Sequence, residues 1–320
     1  KTAEGLAGIV LEQVEALAPK AGEVQVALKA ASLNHRELWI SRGQYPGMTL
    51  PCTLGADGAG VIEAVGEGVD PGLIGCSVVL YPGLGWGDDP RFPAADFGLL
   101  GMPGPGTLAE RICVPVEFLS FEAAAAIPLA ALTAWRGLTT KGGLKAGEHV
   151  LITGVGGGVA TFALKFAVAM GAKAFVTSGN DQTLAKALEL GATAGFNYND
   201  PEWRKALGKQ SDGIDVVFDG APAGSFANYS RSLRMGARVV VYGSTGGAPF
   251  TVNAPEPFLK NDSVIGTNVG ELGEFREMLA FIEQHHIVPV IDRVFGLEQA
   301  KDALQYLEQS HQFGKVVVTI

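Results

Sequence analysis

The clearest chemical signal in the sequence is a glycine-rich segment at residues 150–160, which reads VLITGVGGGVA. An apolar run precedes the glycines and a helix-prone run follows them, which indicates a strand, a loop and a helix in that order. Glycines let backbone N–H groups approach a pyrophosphate closely, and the positive end of the helix attracts the same anion. The segment predicts a dinucleotide-phosphate site, with a structural glycine turn as the alternative. The residues that would form this site are Gly156, Gly157, Gly158 and Val159.

A second chemical signal lies at the end of the next predicted strand. NAD sites usually offer an acidic residue about 20 residues after the glycine loop. Here the strand ends in VTSGN, so that Ser178 stands in place of an acid and Asn180 follows it. Both side chains can hydrogen-bond a 2′-phosphate, which favours NADP(H) as cofactor. The alternative is that they only cap the helix predicted to start near Asp181, and the two roles are compatible.

Apolar segments that alternate with helix-prone segments would position these groups. Six strands alternating with helices predict an α/β fold with a doubly wound parallel sheet. The strands are expected at residues 150–153, 174–177, 194–197, 215–219, 238–242 and 263–267, with helices between most of them, notably at 159–170 and 181–190.

The first third of the chain has a different pattern, which predicts irregular β structure. Residues 23–29 alternate like a half-buried strand, residues 58–69 are apolar with interspersed glycines, and residues 80–106 are expected to be loop. The pattern changes near Phe121, where the alanines at 123–126 begin a helix-prone stretch. The final segments are predicted as helix, strand, helix and strand at residues 272–285, 290–295, 297–309 and 315–320.

The composition excludes several functional classes. The chain has 320 residues, 47% of them hydrophobic, and a net charge of −9, which disfavours binding to nucleic acid or an anionic membrane. Three separated cysteines, Cys52, Cys76 and Cys113, do not suggest a disulfide framework. No apolar signal core or membrane-length run is present. We therefore expect a cytoplasmic protein that acts on a small-molecule substrate.

Several segments together resemble the zinc-free, quinone-oxidoreductase-like branch of the medium-chain dehydrogenase/reductase superfamily. They span most of the chain in the family's order, which makes the joint match specific. The segments are NHRELW at 34–39, LGADGAG at 54–60, AIPLAALTAWR at 126–136, the glycine-rich run at 150–160 and GKVVV at 314–318.

This resemblance implies a domain organisation and an assembly. It implies a GroES-like β-barrel catalytic domain at residues 1–121, an inserted Rossmann domain at 122–269 and a return to the catalytic domain at 270–320. An active cleft between the two domains and a homo-oligomer, most simply a homodimer, are also implied.

The resemblance implies further cofactor contacts. Some of them follow the fifth and sixth strands of the parallel sheet, at the carboxyl ends where such sheets bind ligands. NADP-binding relatives often carry a lysine where this chain has Thr183, and this departure weakens the NADP(H) prediction. The implied cofactor-binding residues are Thr133, Tyr198, Gly243, Ser244, Thr245, Thr267, Asn268 and Lys315.

The zinc ligands of metal-binding relatives are missing from this chain. Their cysteine falls on Asn34, their His–Glu pair on Ala56 and Asp57, and their third ligand near residues 129–132, where no ligand type occurs. The four cysteines of a structural zinc site are absent from residues 80–106. We therefore predict that the protein holds no metal and that hydrogen-bond donors polarise its substrate.

Two residues are candidates for catalysis. Tyr45 stands where some enoyl reductases of the superfamily have a catalytic tyrosine, and a phenol can polarise a carbonyl or donate a proton. The alternative is that Tyr45 only packs in its loop, at residues 42–46. Asn34 can hydrogen-bond substrate or the nicotinamide ribose, or it can satisfy a turn. Asp57 is expected to brace Arg36 or a backbone turn.

The leading hypothesis is an NADPH-dependent reductase of α,β-unsaturated carbonyls or quinones that needs no metal. The first alternative is a metal-free alcohol or carbonyl oxidoreductase. The second is a non-catalytic NADPH-binding protein, because some relatives have that role.

Overall fold

The computed structural model describes residues 4–120 and 125–320. The boundary predicted at 121–122 and the first alanines of the predicted helix-prone stretch lie outside these residues. The chain divides into two compact units, Lys1–Leu132 with Gly270–Ile320 and Thr133–Val269. No helix within the described ranges is long and apolar enough to cross a membrane.

The strands are numbered along the chain. They are β1 (Glu23–Ser32), β2 (Asp57–Val65), β3 (Ser77–Leu80), β4 (Gly83–Leu84), β5 (Gly98–Leu99), β6 (Arg111–Pro115), β7 (Leu119–Ser120), β8 (His149–Ile152), β9 (Lys173–Ser178), β10 (Ala194–Asn197), β11 (Ile214–Asp219), β12 (Leu233–Val241), β13 (Ser263–Gly266), β14 (Ile291–Gly296) and β15 (Lys315–Thr319).

The α-helices are numbered in the same way. They are α1 (His35–Ser41), α2 (Pro128–Arg136), α3 (Gly158–Ala169), α4 (Asp181–Glu189), α5 (Trp203–Ser211), α6 (Pro222–Tyr229), α7 (Pro255–Lys260), α8 (Leu272–Gln284) and α9 (Ala300–Glu308). A π-helical turn, Gly137–Lys141, continues α2, and a 3₁₀ turn, Leu297–Gln299, precedes α9. The remaining 3₁₀ turns are Gly5–Gly8, Pro71–Leu73, Val116–Phe118 and Ser230–Ser232.

The first unit is built on a mostly antiparallel sheet in the order β14-β15-β1-β2-β3-β7, with β6 also paired to β1. Strand β1 lies between β2 and β15, because Ser32 pairs with both Asp57 and Val317. Alternate residues such as Val24, Val26 and Ile62 form the buried core. This arrangement places the start of β15, the start of β2 and the end of β1 side by side.

Close strand packing in the first unit requires glycine at one position of the LGADGAG segment. A Cβ atom added at Gly60 would lie 2.1 Å from the carbonyl oxygen of Ala27 on β1. Because that neighbour is backbone and cannot move aside, a side chain there would break the β1–β2 pairing.

The segment predicted as loop at residues 80–106 is mostly irregular, with one exception. Strands β4 and β5 pair antiparallel through Gly83 with Leu99 and Leu84 with Gly98. The pairing is only two residues long, too short to produce a periodic sequence signal.

The second unit contains a six-stranded parallel sheet in the order β10-β9-β8-β11-β12-β13. This doubly wound order confirms the predicted α/β fold. The chain adds strands in one direction from β8 to β10 and in the opposite direction from β11 to β13, so the strand order switches between β8 and β11. Leu151, Phe175, Val217 and Val239 are fully or almost fully buried in its core, as expected for strands covered on both faces.

One strand of this sheet starts earlier than predicted. Strand β12 begins at Leu233 rather than at residue 238, because its pairing with β11 shifts between Ile214 and Val216. The extra residues include the exposed Met235 and Gly236, which has a positive φ of 75°. Their exposure interrupts the apolar pattern from which the strand was predicted.

Candidate active site

The glycine-rich loop connects β8 to α3 and leaves the start of the helix uncapped. Gly157 is the N-cap residue, and no side chain caps the helix. The first amide of this turn with a backbone acceptor is that of Thr161, 2.9 Å from the Gly157 carbonyl oxygen. A Cβ atom added at Gly157 would find no atom within 4 Å. Within the described residues, the amides of residues 158–160 have no recorded acceptor, which leaves them available to a bound pyrophosphate.

The end of β9 shows the predicted capping role of Asn180. Its Oδ1 accepts hydrogen bonds from the amides of Gln182 (2.8 Å) and Thr183 (3.4 Å), while its own amide donates to the Ser178 hydroxyl oxygen (3.2 Å). The half-exposed Tyr198 ring flanks this turn, because a Cβ at Gly179 would lie 2.7 Å from its hydroxyl. Among the residues that the structure describes, no acceptor is recorded for the Ser178 hydroxyl hydrogen, and the residue is only 8% exposed.

Other predicted cofactor residues lie at the same edge of the parallel sheet. Gly243, Ser244 and Thr245 follow β12, and the Thr245 amide donates to the Gly220 carbonyl (3.0 Å). Thr267 and Asn268 follow β13, and the Thr267 amide donates to Val241 (3.0 Å). Cofactor binding by these residues stays a prediction. Of the remaining two, Thr133 is buried in α2 and Lys315 lies in the other unit.

A buried acid at this edge was not predicted from the sequence. Asp219 ends β11 and is fully buried. It accepts hydrogen bonds from the hydroxyls of Thr153 (2.7 Å) and Tyr229 (2.8 Å), from Ser225, and from the amide of Ala221 (2.8 Å). Burial, followed by the nearby Asp219 charge, raises the pKa of Tyr229. Asp219 thus connects the loops that follow strands β8 and β11. The sequence signal for this residue was an acid at the end of an otherwise apolar strand.

A buried polar cluster forms in the first unit around Lys315. The Lys315 ammonium donates to the Leu33 carbonyl (2.9 Å), Asn34 Oδ1 (2.6 Å) and Asp57 Oδ2 (3.1 Å). Lys315 is 2% exposed, and all three of its N–H bonds point at protein oxygens. Its predicted contact with the cofactor stays a prediction, whereas its contacts within the protein were not predicted.

Asp57 is the anionic centre of this cluster. Its Oδ2 accepts from the Ser32 hydroxyl (2.9 Å) and Asn34 Nδ2 (2.9 Å), and its Oδ1 accepts from the Leu129 amide (2.7 Å). Asp57 was expected to brace Arg36 or a backbone turn, and its backbone partner is instead the Leu129 amide in the first turn of α2. The alternative, Arg36, is wrong, because the Arg36 guanidinium pairs with Glu37 (3.2 Å).

Asn34 is the N-cap residue of α1, but its side chain makes no hydrogen bond to the helix. Its amide group is directed instead at Lys315 and Asp57. The helix start is stabilised by the Glu37 carboxylate, which accepts from the Asn34 backbone amide (2.7 Å). The predicted alternative, an asparagine that only satisfies a turn, does not describe this side chain.

Tyr45 lies in the loop after α1, where its ring is partly buried. The Arg36 guanidinium stands over the ring at 5.1 Å from its centroid and also donates to the carbonyls of Leu100 (2.8 Å) and Met102 (3.2 Å). The Tyr45 hydroxyl makes no hydrogen bond to the part of the chain that is described. Arg36 thus holds the ring and leaves the phenol available.

Electrostatics near this cluster lower the pKa of one histidine. Burial lowers the pKa of His35, and the charges of Lys315 and Arg42 lower it further. The buried Glu37 shows the opposite effect, because burial raises its pKa although Arg36 counteracts this. Both shifts follow from burial first, and neighbouring charges only modify them.

The donor set does not fit a catalytic zinc. Asn34 and Ala56 replace two ligands, and Asn34 Oδ1 is already bound to an ammonium. Across residues 4–120 and 125–320, no group of three or more His, Cys, Asp or Glu side chains could hold a metal ion.

Comparisons with known proteins agree with this architecture. The family model described as alcohol dehydrogenase GroES-like domain matches residues 20–121, and the one described as zinc-binding dehydrogenase matches residues 158–284. A zinc-type alcohol dehydrogenase-like protein of Leptosphaeria maculans is 38% identical to this chain, and the alignment covers 97% of this chain and 94% of that protein. The mouse quinone oxidoreductase is 29% identical, covering 94% of this chain and 90% of its own.

A solved structure of an NAD-dependent alcohol dehydrogenase superposes with a TM-score of 0.93 at 33% identity, covering 100% of this chain and 98% of that one. Sequence, family models and fold thus agree over both units. The chain belongs to the quinone-oxidoreductase-like and zinc-type alcohol dehydrogenase-like oxidoreductases of the medium-chain dehydrogenase/reductase superfamily.

Proposed function

We propose that this protein is an NADPH-dependent oxidoreductase that transfers a hydride to an α,β-unsaturated carbonyl compound or a quinone without a metal. The observation that carries the proposal is the replacement of zinc ligands by Asn34 and Ala56, together with the available phenol of Tyr45. Neutral hydrogen-bond donors polarise a carbonyl less than a metal does. Hydride addition to the β-carbon of an enone needs less help, since the charge spreads onto an enolate.

The residues of this chain would bind the cofactor and orient it. The amides at the start of α3 would hold the pyrophosphate, and Ser178 would donate to a 2′-phosphate. When bound, the reduced nicotinamide supplies the hydride. Asn34 and Tyr45 would donate to the substrate oxygen as negative charge develops there, which lowers the barrier if the bonds strengthen in the transition state.

The preference for NADPH rests on the absence of an acid at Ser178, since a carboxylate there would repel a 2′-phosphate. The Asp181 carboxylate nearby accepts from Asn197 Nδ2 at 2.7 Å. No lysine stands at Thr183 to add attraction, so we propose a preference rather than an exclusive use of NADPH.

A second candidate is alcohol or carbonyl oxidoreduction with NAD(H). It is favoured by the description of the superposed structure as an NAD-dependent alcohol dehydrogenase. The mouse quinone oxidoreductase favours the first candidate.

One experiment separates the candidates. Oxidation of NADPH and of NADH by the purified protein is followed with an enone, a quinone, an aldehyde or no added substrate. Turnover of the enone or quinone, faster with NADPH, is the expected result. Turnover confined to the aldehyde would favour the second candidate, and tight NADPH binding without any turnover would favour a non-catalytic binding protein.

We also propose that the protein forms a homodimer through the edge strand β13. This strand lies at one edge of the parallel sheet. Exposed apolar side chains occur on β13 itself, on the neighbouring strand β12 and on α7, which precedes β13 in the chain. They are Met235, Phe258, Leu259 and Val264, which are 42–70% exposed. Such a patch beside an open strand edge is typical of an interface. Light scattering should give twice the chain mass, and Val264→Lys should give a monomer.

The three cysteines, Cys52, Cys76 and Cys113, are unpaired. This supports our proposal that the protein works in a reducing compartment, most simply the cytoplasm.

A further inference from the structure

The side-chain amide of Asn34 is held between opposite charges. The Lys315 ammonium donates to its oxygen at 2.6 Å, and its nitrogen donates to the Asp57 carboxylate at 2.9 Å. Rotating the amide by half a turn would place NH₂ against the ammonium and oxygen against the carboxylate. The two charges therefore fix which end of the amide is oxygen, which leaves one orientation.

Both charges polarise the amide in the same direction. A cation at the oxygen and an anion at one N–H favour the resonance form with negative oxygen and positive nitrogen. Cooperative hydrogen bonds of this kind strengthen each other where water is excluded. Lys315 is 2% exposed and Asp57 is fully buried, so little solvent screens either charge. The influence of Lys315 extends to the next residue, because its charge helps to lower the pKa of His35.

One N–H of Asn34 remains available. The Nδ2 atom carries two hydrogens, and the described residues provide an acceptor, Asp57, for only one of them. Asn34 itself is partly exposed. An asparagine at an N-cap ordinarily uses its side chain on the helix. Here the side chain forgoes that bond, and Glu37 stabilises the helix start instead.

We propose that Lys315 is a positioning residue that, together with Asp57, makes the remaining N–H of Asn34 a strong donor to the carbonyl oxygen of the substrate. The inference rests on the proposed function, and it names how a metal-free site polarises a carbonyl. Lys315 does not touch the substrate. No proton leaves Asn34, because the donor strengthens its hydrogen bond as the oxygen becomes negative.

The polarisation is measured directly by NMR with ¹⁵N-labelled asparagine, without substrate or cofactor. The Asn34 side-chain signals are assigned by their loss in Asn34→Ala. In Lys315→Met the proton of the available N–H should shift to lower frequency, and Lys315→Arg should retain most of the wild-type shift. The control is Lys260→Met, which also removes an ammonium bound to three backbone carbonyls. An unchanged Asn34 signal in Lys315→Met overturns the proposal.

Kinetics with an enone and NADPH test the consequence. Asn34→Ala and Lys315→Met should each lower kcat by about 10- to 100-fold. The double variant should be no slower than Asn34→Ala alone, because Lys315 acts only through Asn34. NADPH affinity should remain within about twofold of wild type. The inference is contradicted if the fold-losses in kcat of the two single variants multiply in the double variant. It is also contradicted if Lys315→Met loses only NADPH affinity and keeps its kcat.

The proposal can still be tested if Lys315→Met does not fold or if the wild-type protein shows no turnover. If Lys315→Met does not fold, Asp57→Asn removes the other charge and should shift the same NMR signal to lower frequency; no shift there contradicts the proposal. If wild-type protein turns over no carbonyl compound, the proposed function fails, while the NMR shift still reports whether Lys315 polarises Asn34.

Discussion

Substitution of Gly157 tests whether the start of α3 is a binding surface. Gly157→Ala adds one methyl group where no atom lies within 4 Å, at φ −78° and ψ 156°, angles that alanine adopts readily. The protein should fold normally. Alanine restricts the unfolded chain, which stabilises by about 0.4–1 kcal/mol, but it is a poorer N-cap than glycine by a similar amount. The net change in the free energy of unfolding should be below about 1 kcal/mol.

Binding should change far more than stability. The methyl group would occupy space through which the pyrophosphate reaches the first amides of the helix. Loss of one hydrogen bond to a charged group costs about 1.5–3 kcal/mol of binding free energy, which raises the dissociation constant by roughly 10- to 150-fold. Gly157→Val adds two more methyl groups and should weaken binding further.

Fluorescence titration with NADPH and thermal unfolding without ligand measure the two effects separately. Gly224→Ala in α6 is the matched control, because a Cβ there also meets no atom within 4 Å. That variant should bind NADPH like wild type and gain about 0.5–1 kcal/mol of stability. If Gly157→Ala binds NADPH as tightly as Gly224→Ala does, the amides of α3 do not hold the pyrophosphate.

Four further predictions concern metal, cofactor, substrate and pH. Elemental analysis should find no stoichiometric zinc, and chelators should leave turnover unchanged; a zinc required for turnover would refute this. Ser178→Asp should weaken NADPH binding by ~1–3 kcal/mol through charge repulsion, and wild-type protein that binds NADH more tightly would contradict the reasoning. Tyr45→Phe should lower kcat by ~10- to 1000-fold with NADPH affinity nearly unchanged, whereas full activity would leave Tyr45 as packing. Because the pKa of folded His35 is lowered, the unfolded chain binds a proton first on acidification, so stability should fall as pH drops through about 6.5. His35→Gln should show a smaller fall in melting temperature between pH 7.5 and pH 5.5, and an equal fall would exclude His35 as the cause.

The centre of the parallel sheet was predictable because strands β8, β9 and β11 are mostly buried and appear as continuous apolar runs. The grouping of the predicted cofactor residues at one edge followed from topology, since the residues after parallel strands share one end of the sheet. The start of β12 was missed where Met235 is exposed. A buried strand is therefore recognised by its apolar run. Where the β11–β12 pairing shifts, the residues of β12 are exposed and that run is interrupted.

The Lys315 cluster was not predictable in the same way. Lys315 and Asp57 are 258 positions apart, and no local pattern indicates their contact. Asn34 precedes a helix, so local chemistry favours a cap there. Its actual partners depend on strands β2 and β15, which lie on the two sides of β1. Side-chain direction at this site is decided by tertiary contacts.

The position of β15 has a consequence for synthesis on the ribosome. The second unit is contiguous, so its sheet can close soon after residue 269 emerges, whereas β1 acquires β15 only after residue 319 has emerged. Until then the nascent first unit has an open strand edge and an Asp57 carboxylate without its ammonium partner. A chain released before residue 315 would keep the dinucleotide-binding half and lack the cation of the other half. Such a product should accumulate as a chaperone client rather than as a partly active enzyme.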